Sequence, residues 1–225
     1  QANPGAADLA KFRDMLSAAK KPLVMAGGGG WTQEACDDLA AFAEQNELPV
    51  AVSFRRQDVI DNRHPNYAGV IGLGINPKLK QRLDECDLLI SLGPQLGEIV
   101  SGGYTYFDFP KPKQTFIHIS AGVDELGKVY QADLGINSGM AEFCAAPRDM
   151  VPCATPWKGE AETAHADYMA FSTPPEMPGD VNYSQIVSWL SDTLPEDSVI
   201  TNGAGNYTVW VHRFFRYKQY GTQLA

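Results

Sequence analysis

Short apolar runs alternate with segments of helical period through most of this chain, and that alternation restricts the fold more than any other feature. Leu23-Val24-Met25-Ala26 and residues 49–53, 87–92, 114–120 and 132–136 read as strands. Residues 7–19, with Leu9, Phe12, Leu16 and Ala19 on one face, read as a helix. So do residues 32–46, with Ala35, Leu39, Phe42 and Ala43 on one face and Thr32 as N-cap, and residues 77–85 and 139–146. Strands without polar alternation need cover on both faces, and helices between strands make the connections parallel. The expected architecture is a doubly wound α/β sheet, Rossmann-like, over residues 1–147.

The pattern changes after that. Pro147, Pro152, Pro156, Pro174, Pro175 and Pro178 crowd one stretch, so residues 148–180 read as an interdomain linker with a short helix at 161–171. Tyr183, Ile186, Val187 and Leu190 then form a helical face, and residues 198–201 a strand. A turn, Gly203-Ala204-Gly205-Asn206, leads into a helix carrying Trp210, Phe214 and Phe215. Residues 181–225 thus read as the truncated start of a second α/β domain. Such a tail carries an apolar face and should dock on its own first domain or on a second copy, as a dimer or a domain swap.

Charge narrows the function classes. A formal net charge of -9 repels nucleic acid and anionic membranes, so neither is an expected partner. No apolar run approaches the roughly 18 residues of a membrane span, and no signal peptide opens the chain. Cys36, Cys86, Cys144 and Cys153 form no CxxC pair, and His64, His118, His165 and His212 are scattered. That spacing suits neither a zinc site nor a disulfide framework, and reduced thiols point to the cytoplasm.

Three glycine clusters are candidates for ligand contact. Gly27-Gly28-Gly29-Gly30 joins a strand to a helix, where backbone N–H groups can meet a phosphate. It is not a complete GxGxxG fingerprint, and no acidic residue ends the strand that follows, which closes on Ser53. Gly69, Gly72 and Gly74 lie in a loop, and Gly93, Gly97, Gly102 and Gly103 follow the strand at 88–92. Gathered at the carboxyl edge of one sheet, they would frame a nucleotide cleft containing Gly27, Gly28, Gly29, Gly72, Gly74 and Gly93. A tight structural turn is the competing reading of each. No GxSxG nucleophile elbow exists. Asp84, Glu85 and Asp87 read as a solvated helix end, and His118 as a core histidine within an apolar strand. Nothing in the sequence decides whether His212 faces a cleft or the surface.

Several of these motifs together resemble a known family. Lys21-Pro22-Leu23-Val24 with Ala26 to Gly29 is similar to the opening of the central domain of thiamine-diphosphate enzymes of the acetolactate synthase type. Leu48-Pro49-Val50, Asp61 to His64-Pro65, Gly69 to Gly74, and Asp87 to Ile90 with Leu92-Gly93-Pro94 continue it in order. Ile117-His118-Ile119 with Glu125-Leu126-Gly127-Lys128 resembles the end of that domain. Val199 to Asn206 with Trp210 resembles the entry to the diphosphate-binding domain.

The resemblance implies a larger, three-domain parent that decarboxylates a 2-keto acid and ligates or protonates the product, with thiamine diphosphate and Mg²⁺. It implies that the first domain, carrying the activating glutamate, and the metal-binding part of the third lie outside these residues, so that the fragment alone is inactive. It assigns Gly205, Asn206 and Tyr207 to diphosphate contact and implies an oligomer completed by the remaining domains. Flavin-containing members carry arginines where this chain has Gln95 and Ile99, and aspartates where it has Ser120 and Gly122. FAD is therefore doubtful. Acetolactate synthesis, oxalyl-CoA decarboxylation and benzoylformate-type decarboxylation stay open. The alternative is a stand-alone Rossmann-like nucleotide-binding or structural module, which would have no need of the tail from Tyr183 onward.

Overall fold

In the computed structural model the strand–helix alternation becomes a six-stranded, wholly parallel sheet. The structure describes residues 2–149, 152, 153 and 155–224. Of the regions discussed above, Gln1, Met150, Val151 and Ala154, and the last residue, Ala225, lie outside the described residues. The chain runs α1 (Ala6–Ala18), β1 (Pro22–Ala26), α2 (Gln33–Gln45), β2 (Val50–Ser53), β3 (Tyr67–Ile71), α3 (Pro77–Glu85), β4 (Leu88–Leu92), β5 (Thr115–Ser120), β6 (Leu134–Asn137) and α4 (Met140–Ala145). Next come α5 (Glu160–Phe171), α6 (Tyr183–Thr193), β7 (Ile200–Thr201), α7 (Thr208–Phe214) and β8 (Gln223–Leu224). The strand order is β3-β2-β1-β4-β5-β6. This is the order of the dinucleotide-binding fold, reversing between β1 and β4.

The sheet is apolar on both faces because successive side chains alternate. On one face Val24, Ala26, Val50, Ile90 and Ile117 pack under α1, α2 and α4 through Phe12, Leu16, Leu39 and Phe143. On the other, Leu23, Met25, Ala51, Leu89 and Phe116 meet Leu79 and Leu83 of α3. Local signals set the helix starts. The Thr32 hydroxyl accepts from the Ala35 N–H (3.1 Å), and Asn76 caps α3 ahead of a proline in its first turn.

Two expectations change. The Gly69 cluster is not wholly loop: Tyr67–Ile71 is an edge strand, pairing with β2 through an irregular register near Val50. Glycine at φ +109 within it is what hid the strand pattern. The helix expected at 161–171 is present as α5, but it does not stand outside the sheet in a linker: its Ala161, Ala164 and Tyr168 are buried. Tyr168 meets Tyr67 of β3 edge-on at 4.7 Å between ring centroids, so α5 is a covering layer of the sheet.

The tail docks within the chain rather than standing free. β7 pairs in parallel with β8, and Val187, Phe214, Phe215 and Tyr217 form a small core of their own. The seam to the first domain is polar and buried. Asn62 accepts from the Tyr217 N–H (2.9 Å), and its own N–H donates to the Tyr217 carbonyl (2.8 Å). Gln57 donates to the His212 carbonyl (2.8 Å), and its N–H donates to the Gln223 side chain (2.6 Å). Asp58 Oδ2 accepts from the N–H groups of Gly221 (3.0 Å) and Gln223 (3.3 Å), while Oδ1 has no partner.

Burial raises the Asp58 pKa above the usual carboxylate range, against the pull of those N–H groups and Arg56. A carboxyl with a raised folded pKa favours the folded state while protonated, and that contribution is lost as pH rises from the unfolded value through the folded one. Asp58→Asn keeps a neutral acceptor for Gly221 and Gln223 and should raise the urea midpoint at pH 7. Asp58→Ala strands two buried N–H groups and should lower stability by roughly 2–4 kcal/mol. Equal loss in both variants would mean that the negative charge itself holds the tail.

Candidate functional site

Where the strand order reverses, the loops after β1 and β4 touch backbone to backbone. A methyl group on Gly28 (φ +69) would sit 2.0 Å from the Gly93 carbonyl oxygen, and one on Gly93 (φ +86) would sit 2.5 Å from that of Gly27. Gly27 is equally confined, against Ser53. The Gly27 N–H is spent on the Leu92 carbonyl (2.9 Å), and its own carbonyl accepts from the Trp31 indole (2.7 Å). Gly29 has open space around it, and among the described residues the N–H groups of Gly28, Gly29 and Gly30 meet no acceptor.

These loops border a cleft of about 830 Å³ at the carboxyl ends of the strands. Gly28, Gly29, Gly30 and Gly93 line it, together with Gln95, Ser120 and Gly122. Gly27, spent on packing, does not line it, and Gly72 and Gly74 are not brought there. Gly72 packs on Phe54 and Ile99, and Gly74 lies beside Val209 of α7. Ile99 does not reach the cleft lining, and 42% of it is exposed.

The cleft also holds charges that the sequence reading did not assign. Arg55 and Arg56 enter from the end of β2, and Asp124 and Glu125 from the loop after β5. Arg55 is held at φ +66 with its guanidinium 5.2 Å from the Phe54 ring centroid, and its Nε is buried without a partner. Glu125 is paired with Lys128 (2.8 Å). The signal was present: Arg55 and Arg56 follow a strand directly, and every such segment in a parallel sheet emerges on the ligand edge. The cleft thus carries cationic groups from the end of β2, which suit a phosphate, and carboxylates from the loop after β5, which suit hydroxyl groups. Gln223 and Leu224 of β8 close one side, so the tail shapes the cleft.

The histidines stand apart from it. His118 is 3% exposed with both ring nitrogens unpartnered, and burial lowers its pKa. The turn Gly205-Asn206-Tyr207 is exposed, tied by the Thr208 hydroxyl to the Gly203 carbonyl (2.7 Å). Among the described residues the Ala204 and Asn206 N–H groups have no acceptor, and no three His, Cys, Asp or Glu side chains converge on a metal site. Nor is any helix long and apolar enough to cross a membrane.

Comparison with known proteins agrees with this architecture. The family model described as the central domain of thiamine pyrophosphate enzymes matches residues 9–146. The chain belongs to that family. It is 25% identical over 205 residues to the acetolactate synthase isozyme 2 large subunit of Escherichia coli, covering 91% of this chain and 36% of that protein. It is 25% identical over 229 residues to a probable acetolactate synthase large subunit of Methanocaldococcus jannaschii (96% and 37%). A putative thiamine pyrophosphate-containing protein, YdaP, of Bacillus subtilis is 26% identical over 215 residues (89% and 34%). The chain thus spans about a third of the length of these relatives. Matches of this extent run past the central domain into the tail, which disfavours a stand-alone Rossmann-like module.

The two kinds of glycine separate by substitution. Gly28→Ala drives a methyl into the Gly93 carbonyl and should cost about 2 kcal/mol or more. Gly29→Ala meets open space and should stay within about 0.5 kcal/mol of the parent in a urea titration. Equal tolerance at both positions would show that the loops do not touch as described.

Proposed function

We propose that this chain is the central domain, with the beginning of the diphosphate-binding domain, of a thiamine-diphosphate-dependent 2-keto acid decarboxylase or carboligase of the acetolactate synthase kind. The observation that carries the reading is the continuity of the relatives' similarity through the sheet and on into the tail, 91% of the chain in one case. Thiamine diphosphate, when bound, supplies the electron sink for the carbanion left by loss of carbon dioxide. This chain's share is to present Gly205, Asn206 and Tyr207 at one end of that cofactor. Their turn is solvent-facing, with the Asn206 N–H free to meet a phosphate oxygen and the Gly205 N–H donating to the Thr208 hydroxyl (3.3 Å). The Mg²⁺ ligands and the activating glutamate belong, in this reading, to other parts of the parent. A cytoplasmic homo-oligomer completes the site.

Two outcomes test the proposal. The chain alone, mixed with Mg²⁺, thiamine diphosphate and pyruvate, should release no carbon dioxide, whereas the whole parent should release it. Release by the isolated 225 residues would place the catalytic groups within them.

The cleft at the strand reversal we assign to a phosphate-bearing nucleotide, over Gly28, Gly29 and Gly30 with Arg55 and Arg56. A tightly held flavin is not expected, because Gln95, Ser120 and Gly122 offer no charge to it. The loss of the charge-assisted arginine contact at Gln95 weakens binding by about tenfold or more. The purified parent should be colourless, with ADP affinity in calorimetry lowered by Arg55→Ser and Arg56→Ser. A flavin spectrum in the protein as isolated would contradict the assignment.

A further inference from the structure

Away from the cleft, α7, the loop after β3 and the end of α5 enclose two adjoining hollows. They share Gly74, Phe171, Val209 and Arg213 as walls. The outer one measures about 360 Å³ and adds Trp210 and Phe214. That lies within the ~300–1,000 Å³ of small-molecule sites, which are mostly apolar with a few placed polar groups. The inner one, about 20 Å³, reaches His212 and Tyr168.

Arg213 is the unusual element. Its guanidinium carbon lies 3.9 Å from the Phe171 ring centroid and 4.9 Å from that of Phe214. Its Nε donates to the Phe171 carbonyl (2.8 Å). Among the described residues its two terminal nitrogens meet no acceptor, and no carboxylate lines either hollow. Burial lowers its pKa with nothing opposing the shift. A guanidinium held by its faces between rings keeps its outer edge free, and that edge matches a carboxylate with two parallel hydrogen bonds.

The floor carries a buried imidazole. His212 is 5% exposed, and among the described residues neither ring nitrogen has a hydrogen-bond partner. Burial and the nearby Arg55 push the His212 pKa down to about 4, so it is neutral at pH 7.

We propose that this pocket binds a small monocarboxylic acid with an aryl body, its carboxylate on the terminal nitrogens of Arg213 and its ring against Trp210 and Phe214. The site is separate from both the diphosphate turn and the strand-reversal cleft, and it does not depend on their assignments.

Phenylacetate and its neutral analogue phenylacetamide are the probes, titrated into the full chain and followed by calorimetry and ligand-observed NMR. Saturable phenylacetate binding is expected, with phenylacetamide at least tenfold weaker. Arg213→Met should weaken phenylacetate at least tenfold, leave phenylacetamide unchanged, and show thermal unfolding like the parent. Should that variant not fold, Val209→Phe fills the hollow and should abolish binding of both probes. The proposal is overturned if phenylacetate does not saturate, if acid and amide bind alike, or if Arg213→Met binds phenylacetate as the parent does. It is equally overturned if ADP competes with phenylacetate, which would put the acid in the cleft.

Discussion

The rest of the structure depends on the contact between two backbones at the point where the strand order reverses. β1 and β4 are neighbours, but β1 leads into α2 on one face, while the helix-free segment after β4 packs Leu96 and Phe107 on the other, so the loops that follow them must part. Gly27, Gly28 and Gly93 let those loops touch before they separate, because a side chain at any of them would meet an atom at 2.5 Å or less. The crevice beyond exists because nothing fills that junction. Trp31 extends the constraint outward: its indole holds the Gly27 carbonyl, and its own carbonyl accepts from the Tyr220 hydroxyl (2.7 Å). The glycines that look like phosphate-binding residues are therefore first of all packing residues, and Gly29 and Gly30 are the ones left free.

The seam between the two parts of the chain follows a different logic. It is made of buried amides and one carboxyl: Gln57, Asn62 and Asp58 satisfy tail backbone groups directly, and Gln223 of the tail accepts from the Gln57 N–H. An apolar seam of this size could slide, since hydrophobic contact has no direction. Paired amides cannot slide without stranding a buried donor, at a cost of about 1–3 kcal/mol each. The register of the tail on the sheet is fixed that way. Phe54 and Arg55 sit astride the seam: Phe54 meets the His212 ring edge-on at 4.7 Å, and Arg55 faces the cleft while depressing the His212 pKa. Two sites are thus joined through adjacent residues of one loop.

Much of this was legible in the residue order. Periodicity and caps located the helices to within a residue or two, Thr32 among them, and the unbroken apolar character of Leu23 to Ala26 implied a strand covered on both faces. β3 escaped because Gly69 and Gly72 interrupt its pattern, and strand signals depend on side chains that glycine lacks. Arg55 and Arg56 escaped because a charged pair in a loop looks the same whether it faces solvent or a cleft. Seven residues after the strand of the Gly69 cluster began, Gly74 was grouped with the cleft glycines, yet it borders α7 because β3 is the outermost strand.

The local rules of the chain, then, settled most of the elements, the parallel sheet and the family, since each is written in periodicity, capping and short motifs that act between near neighbours. Which glycines touch each other, which arginines face a ligand, and where Arg213 and His212 come to rest followed from strand order and from the seam. These juxtapose residues distant in the chain, as in the bond of Gln57 to His212, 155 positions apart. No local preference encodes such a meeting, because its energy arises only when the whole sheet has formed and both partners have lost water together.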